Sequence, residues 1–547
     1  MKTVLPLALL TLATGLAACS GSETLDGGAD AGTPDSGRPP PTSPNEQGWW
    51  RGTVGYEVFV RSFADSDGDG IGDFQGLTAR LDYLNDGDPT TSSDLGVDAI
   101  WLMPIHPSPS YHGYDIADYR GLRPEYGDFD DFEAFVTAAH GRGMRVILDF
   151  VLNHSAKTHP WFESAAMGPQ AEFRGYYVWR DEDPGWTRSW DRRPVWFEEN
   201  GSYYYALFGE LLPDLNLANP VVEEEVFESM RFWASKGVDG FRVDAARHLF
   251  ESDDGQLADQ PETHAFMQRM RERLHAEYPD VLLLAEAWVG VDTLRDYWGD
   301  GYEYQLAFSF DVAATIKDAI KNGTPQGLKV VLRNSAEAYP DRGYEAPFLS
   351  NHDQERTLRT LLKDIPSSRL AAATLLAMPG TPFLYYGEEL GMAGGGTPQD
   401  EDKRAPLPWT DEAPGKGFTT GDPWWASTEP AGVEVAAQRD VDGSMWSLYR
   451  DLIALRHLHP ALGDGGQDLV PVSGSTSVLA WTRSKGSETV LFVANFSADP
   501  ATGLTVQADG APTLLLAEGV ATSSISGNSP LTISDIQGRG FAFIRLD

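Results

Sequence analysis

"RVILDFVLNH", residues 145–154, is the stretch on which the interpretation of the fold rests. Its β-branched and aromatic residues form a continuous apolar run, which is typical of a strand buried on both faces of a parallel sheet. The run ends in Asp149, Asn153 and His154. Parallel α/β folds carry their reacting groups at the carboxyl ends of such strands, so recurrence of this pattern would indicate a shared site.

Similar apolar runs recur along the chain, separated by stretches of helical period such as "DFEAFVTAAHGRGM" (131–144) and "VVEEEVFESMRFWASKG" (221–237). Eight strands alternating with helices predict an α/β protein whose parallel sheet closes into a (β/α)8 TIM barrel. A doubly wound open sheet is the alternative that the pattern leaves open. The other seven runs are "VGYEVFV" (54–60), "VDAIWLM" (97–103), "DGFRVD" (239–244), "VLLLAEAW" (281–288), "LAFSF" (306–310), "EAPFLS" (345–350) and "TPFLYY" (381–386).

Two regions depart from this alternation. About sixty residues rich in Trp, Tyr and Phe separate "LNHS" from "LPDLN", which is too long for a βα loop. They predict a subdomain B inserted after the third strand, at about 155–216, within a catalytic barrel domain at 47–464. From 465 to 547 the chain alternates as in "SVLAWTR" and "TVLFVANFS", which predicts a C-terminal all-β sandwich.

The amino-terminal region has the features of an export signal. Residues 1–18 hold a lysine, an apolar stretch and small residues, as in a secretory signal peptide. "LAAC" (16–19) resembles the bacterial lipobox and contains the single cysteine, Cys19, so we expect lipidation there and anchoring to the cell envelope. An ordinary signal peptide that contains a cysteine is the alternative. Residues 19–46 are rich in Gly, Ser, Pro and Asp and predict a disordered tether.

The charge of the chain restricts its partners. With 81 acidic and 42 basic residues the net charge is -39, which repels nucleic acid and anionic lipid surfaces. An uncharged substrate or a bound cation fits this charge better. We expect a monomer.

Four strand ends carry side chains suited to catalysis. The third strand ends in Asp149, Asn153 and His154. The fourth ends in Arg242 and Asp244, the fifth in Glu286, and the seventh in His352 and Asp353. In a barrel these ends meet at one rim. We therefore expect three acids, two histidines and an arginine to surround one site.

Paired carboxylates of this kind are the equipment of glycoside hydrolysis, which needs one protonated and one ionised carboxyl. Glu286 follows "LLLA" and precedes Trp288, so apolar neighbours are expected to keep it protonated as the general acid. Asp244 lies two residues after Arg242, on the same face of a strand. That cation is expected to keep Asp244 ionised as the nucleophile, and Asp353 would hold sugar hydroxyls.

Seven segments, in order, resemble the α-amylase family of glycoside hydrolases over roughly residues 50–547. The resemblance implies a barrel with subdomain B and a C-terminal β domain, and it implies an α-glucan substrate such as starch or maltodextrin. It places the nucleophile on Asp244, the acid/base on Glu286 and the transition-state stabiliser on Asp353. The implied substrate-binding residues are His112, Tyr114, His154, Arg242 and His352. The segments are "GVDAIWLMPI" (96–105), "DFVLNH" (149–154), "LPDLN" (212–216), "GFRVDAARH" (240–248), "LLAEAW" (283–288), "FLSNHD" (348–353) and "GTPFLYYGEEL" (380–390).

The reaction type within the family is narrowed by two features. "LPDLN" is more similar to α-amylases than to oligo-1,6-glucosidases, and Ala245 stands where α-glucosidases typically have valine. These features favour endo-acting hydrolysis of α-1,4 bonds. An exo-acting α-glucosidase, an oligo-1,6-glucosidase, a transglycosylase or a sugar isomerase remains the alternative. A sugar-binding protein without catalysis is a third interpretation, but such relatives have lost one or more carboxylates, and all three are present here.

"DSDGDGIGDF" (65–74) concentrates aspartates in a short loop after the first strand. Repulsion among them makes the loop unfavourable without a cation, and the oxygen cage suits Ca²⁺. Position twelve of the apparent EF-hand pattern is Gly76 rather than Glu, so this is not an EF-hand. A solvated acidic turn is the alternative. The expected ligands are Asp65, Asp67, Asp69, Asp73 and the carbonyl of Ile71.

The resemblance also implies a second structural calcium between barrel and subdomain B. Its ligands would be Asn153, Asp214 and the carbonyl of His248. A hydrogen bond from Asn153 that braces the subdomain is the alternative.

Overall fold

The structure is a computed structural model and describes residues 48–339 and 342–547. The predicted signal peptide, the tether and Cys19 lie outside the described residues. Among the described helices, none has both the length and the apolar character needed to cross a membrane.

The barrel begins with three parallel strands that pair in chain order, each four to six residues long. Residues on neighbouring strands are in direct register, as Glu57 with Trp101 and Trp101 with Ile147. The strands are β1 (Gly55–Val58), β2 (Ala99–Leu102) and β3 (Arg145–Phe150).

An inserted subdomain follows β3 and contains a three-stranded antiparallel sheet in the order β4-β6-β5. Its aromatic residues divide between two cores. Trp196 and Tyr205 are buried in a small core of the subdomain with Trp186 beside them, whereas Tyr177 and Tyr204 belong to the large core that includes the barrel. Trp190 is different, since it is 52% exposed. The strands are β4 (Trp179–Arg180), β5 (Trp196–Glu199) and β6 (Ser202–Tyr205).

Five further parallel strands complete the barrel. The order of the eight-stranded sheet is β10-β9-β8-β7-β3-β2-β1-β11, and a parallel bridge between Phe348 and Phe383 joins its two ends. Every strand therefore neighbours the next one along the barrel, and the sheet closes. The predicted (β/α)8 barrel is confirmed and the open sheet is wrong. The strands are β7 (Gly240–Val243), β8 (Leu282–Ala285), β9 (Leu306–Phe308), β10 (Glu345–Ala346) and β11 (Phe383–Tyr385).

Alternation along the strands divides the apolar residues between two cores. Trp101 joins the interior cluster with Phe308 and Phe383, whereas its neighbours Ile100 and Leu102 face the surrounding helices. Successive side chains of a strand point to opposite faces. The interior cluster therefore fills the barrel and supports the residues above it.

Helices surround the sheet and begin with local capping groups. Asp128 and Asp131 form a capping box at the start of α4, and Asn219 caps α6 ahead of Pro220, which satisfies otherwise unpaired backbone N–H groups. The helices are α1 (Val60–Phe63), α2 (Phe74–Ala79), α3 (Leu81–Leu84), α4 (Phe129–Gly141), α5 (Pro160–Ala165), α6 (Pro220–Ser235), α7 (Pro261–Glu277), α8 (Val291–Leu294), α9 (Phe310–Asn322), α10 (Gln326–Ala338), α11 (Thr357–Thr360), α12 (Ile365–Leu376), α13 (Val435–Gln438), α14 (Met445–Leu458) and α15 (Pro460–Asp464).

The carboxyl-terminal region consists of two antiparallel sheets, as predicted. Their strand orders are β12-β14-β15-β20-β17 and β13-β16-β19-β18. The buried guanidinium group of Arg483, on β14, donates to the carbonyl of Met378 after α12 at 2.6 Å, which ties this region to the barrel domain. The strands are β12 (Gly466–Val470), β13 (Val472–Ser473), β14 (Val478–Lys485), β15 (Glu488–Asn495), β16 (Ala501–Val506), β17 (Pro512–Glu518), β18 (Ile525–Ser526), β19 (Leu531–Ile536) and β20 (Phe541–Leu546).

Candidate active site

A cavity of about 920 Å³ opens where the barrel strands end. Asp244, Glu286 and Asp353 line it together with Tyr114 and His154. The rest of its wall comes from the 187–192 segment of the inserted subdomain and the 245–258 loop after β7, together with Phe208, Leu212 and Trp288. The three acids predicted from separate strand ends therefore meet in one cavity.

Arg242 organises the floor of this cavity. It is fully buried, and its Nη1 donates to Asp149 Oδ1 at 2.8 Å and to Asp244 Oδ1 at 2.5 Å. Its Nη2 lies 3.0 Å from Glu286 Oε1, an ion pair whose angle falls outside a hydrogen bond. One guanidinium is thus shared by three carboxylates, so Asp244 and Glu286 lie closer than the roughly 9.5 Å that limits a paired mechanism.

Sharing of that charge corrects the expectation that Arg242 keeps Asp244 ionised. Burial raises the pKa of Asp244 to about 8, with Arg242 lowering it and the carboxylates of Glu286 and Asp149 raising it. Burial also raises the pKa of Asp149, although Arg242 lowers it, so the protonation of the two aspartates bound to this cation is shared rather than a property of Asp244 alone. Glycoside hydrolysis by two carboxyl groups requires that one of them is protonated.

The surroundings of Glu286 also differ from the apolar ones expected. Trp288 Nε1 donates to Glu286 Oε1 at 2.7 Å, and the backbone N–H of Ala245 donates to Glu286 Oε2 at 2.8 Å. Ala245 is held in the left-handed region at φ 49°, a conformation that an L-residue rarely adopts. Trp288 therefore contributes a polar contact to the acid, and Glu286 faces hydrogen-bond donors.

Asp353 is held by a cationic network. His352 Nε2 lies 3.1 Å from Asp353 Oδ2, and Arg404 Nη2 lies 3.0 Å from Asp353 Oδ1. Burial alone would raise the pKa of Asp353, but His352, Arg404 and Arg242 lower it well below the usual range. Asp353 is therefore ionised, as stabilisation of a cationic sugar requires.

His352 is protonated because carboxylates face both ring nitrogens. Its Nδ1 lies 2.5 Å from Glu57 Oε1. Burial alone would lower the pKa of His352, but Asp353 and Glu57 outweigh it and raise the pKa to about 10. The Tyr114 hydroxyl donates to Asp149 at 2.8 Å and also lies 2.6 Å from His352 Nε2.

The other predicted substrate-binding residues divide into two groups. Tyr114 and His154 line the cavity, and burial lowers the pKa of His154 to about 4, so its ring is neutral. His154 Nε2 is buried, and among the described residues none is in hydrogen-bond geometry with it. His112 is not among the residues lining the cavity, and its Nδ1 accepts from the backbone N–H of Tyr114.

Sequence reasoning missed Glu57 and Arg404. Glu57 is a buried charged residue within the apolar run "VGYEVFV". A charge inside a strand-like apolar run was the sequence feature that could have identified it. Arg404 follows β11 in a Gly- and Pro-rich segment without periodicity. Its Nη1 donates to the Tyr111 hydroxyl at 3.2 Å, and Tyr111 stacks on Trp424 with ring centroids 5.3 Å apart.

The acidic loop brings together three of its four aspartates. One carboxylate oxygen from each of Asp65, Asp67 and Asp73 lies within 4.8 Å of the others. Asp69 is outside this set, and its Oδ1 accepts from the N–H of Ile71 at 2.7 Å. The three clustered acids supply the hard oxygen donors that Ca²⁺ prefers, so the loop fits a structural calcium, and Asp69 and the carbonyl of Ile71 stay predictions.

The second predicted calcium set contains a direct internal contact. Asn153 Nδ2 donates to Asp214 Oδ2 at 2.8 Å, and the Leu207 N–H donates to Asp214 Oδ1 at 2.8 Å. Burial raises the pKa of Asp214. The ring of His248 contacts the carbonyl of Leu257. The bracing hydrogen bond from Asn153 is thus present, and the second calcium stays a prediction.

Comparisons with known proteins agree with this arrangement. The family model described as alpha amylase, catalytic domain, matches residues 57–465. Alpha-amylase 3 of Dictyoglomus thermophilum is 35% identical over 456 residues, 82% of this chain and 85% of that protein. The trehalose synthase/amylase TreS of Mycobacterium tuberculosis is 36% identical over 519 residues, 84% of this chain and 83% of that protein. The crystal structure of α-amylase from H. orenii superposes with a TM-score of 0.81 at 36% identity, covering 90% of this chain and 99% of that one. The predicted resemblance is confirmed, and the chain belongs to the α-amylase family of glycoside hydrolases.

Proposed function

We propose that the protein is a retaining hydrolase that cleaves internal α-1,4-glucosidic bonds of starch or maltodextrins. The observation that carries the proposal is the cavity itself, in which Asp244, Glu286 and Asp353 converge at one end. Beyond them the cavity continues along the inserted subdomain, with room for more than one sugar unit at about 920 Å³.

In the first step a carboxylate oxygen of Asp244 attacks the anomeric carbon of the glucose unit held at the catalytic end. The bond from that carbon to the glycosidic oxygen breaks, and the proton of Glu286 passes to the departing oxygen. The ionised Asp353 stabilises the positive charge that develops on the sugar ring. Arg242 keeps both reacting carboxyl groups in place through its two terminal nitrogens.

In the second step water replaces the departed sugar. Glu286, now ionised, takes a proton from the water, whose oxygen attacks the anomeric carbon and releases Asp244. Two displacements restore the α configuration. The neutral ring of His154 lines the cavity, where it would contact the bound sugar.

Exposed aromatic side chains in the cavity wall support binding of a chain rather than a single sugar. Trp190 is 52% exposed and Trp288 is 49% exposed, and both line the cavity. Flat aromatic rings in a cleft bury large apolar area at low entropic cost and suit the faces of glucose units. These two side chains favour a substrate that extends on the acceptor side.

A second candidate is exo-action or glycosyl transfer, favoured by the opposite end of the cavity. There the Arg404–Tyr111 contact of 3.2 Å stands beside Asp353, and neither residue lines the cavity. A cavity that ends before this contact would hold few glucose units on the donor side. TreS of Mycobacterium tuberculosis, a trehalose synthase/amylase, is as similar to this chain, at 36% identity, as α-amylase 3 of Dictyoglomus thermophilum is at 35%.

A time course of products from soluble starch separates the two candidates. Internal cleavage gives long maltodextrins first, with loss of iodine staining before free glucose accumulates. Early release of glucose or maltose alone, or formation of trehalose from maltose, would overturn endo-hydrolysis in favour of the second candidate.

We further propose that the protein is exported and lipid-anchored through Cys19. The lipobox-like "LAAC" and the following Gly- and Ser-rich segment support this. Metabolic labelling of the full chain with a fatty acid should label the wild type and not Cys19→Ser, and an unlabelled wild type would contradict the anchor.

A further inference from the structure

A second cavity, of about 250 Å³, lies between the 117–120 segment, which follows β2, and the helices α5 and α6. It shares no lining residue with the active cavity and has about a quarter of its volume, so it suits a small ligand such as one sugar ring. We call it the Trp161 pocket. Its lining includes Asp118, Tyr119, Arg120, His159, Trp161 and Glu225.

The buried part of the pocket presents a hydrogen-bond donor that has no protein partner. His159 is 4% exposed, and its Nδ1 accepts from the backbone N–H of Trp161 at 3.1 Å. Burial lowers the pKa of His159 to about 4, so the ring is neutral near pH 7 and its hydrogen lies on Nε2. Among the described residues Nε2 has no hydrogen-bond partner, and it is not one of their fully enclosed polar atoms. A ligand in the pocket can therefore accept a hydrogen bond from it.

The rim of the pocket carries exposed polar side chains. Arg120 Nη2 donates to Glu225 Oε2 at 2.7 Å, and Asp118 Oδ1 accepts from the backbone N–H of Arg120 at 2.9 Å. Within the described part of the chain, Nε and Nη1 of Arg120 and Oδ2 of Asp118 make no hydrogen bond. The rim therefore offers both donors and an acceptor, the combination that hydroxyl groups require.

Trp161 supplies an aromatic wall between these polar groups. Its half-buried indole stacks on Tyr119, with ring centroids 5.8 Å apart at 20°, and the ring of His159 lies 4.4 Å from it. These contacts fix the orientation of the indole, and the part that they leave uncovered lines the pocket. An aromatic ring beside hydrogen-bonding groups suits a pyranose, which has apolar C–H faces and a hydroxyl edge.

The charges of the pocket disfavour an ion as its ligand. Arg120 is already paired with Glu225 and lies beside Asp118, so the rim has no excess positive charge for an anion. Among the described side chains, those close enough together to hold a metal ion belong to the acidic loop at 65–73, and His159 and its acidic neighbours are not among them. A neutral ligand rich in hydroxyl groups fits the pocket better.

We propose that the Trp161 pocket binds one glucose unit, either as a free sugar or within an α-glucan chain, at a site separate from the active cavity. The indole covers one face of the sugar, while His159 Nε2, Arg120 and Asp118 hold its hydroxyls. Glucose as the ligand rests on the proposed function, which makes an α-glucan the substrate. A second site on the same protein raises the effective concentration of a long chain at the active cavity.

The test variant is Arg120→Ala, because Arg120 is exposed and its surface ion pair with Glu225 contributes little to stability. Arg273→Ala is the matched control, since Arg273 Nη2 lies 2.7 Å from Glu224 Oε2, on the same helix α6 but outside the pocket. Both changes are made in full-length Glu286→Gln, in which hydrolysis is too slow to consume the ligand. Thermal unfolding checks that the variants are folded.

Calorimetric titration of Glu286→Gln with maltohexaose should find two binding sites per chain, one in each cavity. Arg120→Ala should weaken one of the two sites about 10- to 100-fold, as expected for a lost hydrogen bond from a charged group. Arg273→Ala should leave both sites unchanged. A single site in Glu286→Gln, unchanged affinities in Arg120→Ala, or an equal loss in both arginine variants would overturn the inference.

Titration with methyl α-glucoside distinguishes the two sources of the glucose unit. If Arg120→Ala weakens binding of both ligands, the pocket accepts a free sugar; if it weakens binding of maltohexaose alone, the pocket needs a chain. Either result supports the site, and loss of neither overturns it. Failure of the proposed function is seen separately, as a wild type that does not cleave maltohexaose internally, because the titrations need no turnover.

Discussion

Neutralising one aspartate of the acidic loop should change the response of the protein to calcium. One oxygen from each of Asp65, Asp67 and Asp73 lies within 4.8 Å of the others. At that distance each like-charged pair repels by about 1 kcal/mol in water and about 3.5 kcal/mol at an effective dielectric constant near 20. Three pairs therefore place on the order of 3–10 kcal/mol of repulsion in the loop, which a bound Ca²⁺ would offset.

Chelation should lower the melting temperature of the wild type. For roughly 500 ordered residues the entropy of unfolding is about 1 kcal/mol per kelvin, so loss of the ion should lower Tm by about 3–10 °C. Asp67→Asn removes two of the three repelling pairs. It should lower Tm in calcium, leave at most half of the EDTA effect, and match or exceed the wild type in EDTA.

The assay is thermal unfolding by calorimetry, once in about 1 mM calcium and once in EDTA. Asp88→Asn is the matched control. Asp88 is an exposed aspartate whose Oδ1 accepts from Thr90, and it is not in the clustered set. Its replacement should leave the calcium response unchanged. Equal melting temperatures of the wild type in calcium and EDTA would refute the reasoning.

Three further outcomes test the site. Replacing Glu286 by Gln should lower kcat on maltodextrins about 10²–10⁴-fold, measured by reducing-sugar release, because the proton donor is lost; a normal kcat would remove Glu286 from the acid role. Arg404→Leu removes a hydrogen bond to the ionised Asp353, a contribution of about 1.5–3 kcal/mol, so kcat/KM should fall about 10- to 100-fold; an unchanged kcat/KM speaks against Arg404 as a support of Asp353. Burial alone would lower the pKa of His352, but Asp353 and Glu57 outweigh it and raise the pKa to about 10, above the ordinary 6.5. The resulting stabilisation is complete below about pH 6.5 and is lost as pH rises to about 10. The difference in unfolding free energy between wild type and His352→Gln, measured in urea, should shrink over that interval, and a constant difference would contradict the protonated His352.

The parts of the site that could be predicted from sequence are those attached to strand ends. Asp244, Glu286 and Asp353 each follow an apolar run, and barrel geometry alone brings such ends to one rim. The pattern at each strand end therefore predicted that residues far apart in the chain lie close together in the fold. The number and alternation of the strands predicted a closed barrel but left an open sheet as the alternative, and the parallel bridge between Phe348 and Phe383 distinguishes the two.

The parts that were missed depend on contacts between distant segments. Glu57 and His352 are 295 residues apart and Arg404 and Asp353 are 51 apart, and no periodic pattern joins them. The expectation that Arg242 lowers the pKa of Asp244 left out burial, which raises it, and the number of carboxylates that share Arg242. The number of carboxylates bound to Arg242 is set by packing in the folded protein. It cannot be predicted from the closeness of Arg242 and Asp244 in the sequence.

Trapping of the covalent intermediate tests the central claim most directly. Incubation with a 5-fluoro-α-glucosyl fluoride, followed by proteolysis and mass spectrometry, should find the sugar attached to the carboxylate of Asp244 in the peptide that contains "GFRVDAARH". Attachment to another residue, or turnover of the reagent to a β-configured product with no adduct, would contradict a nucleophilic Asp244.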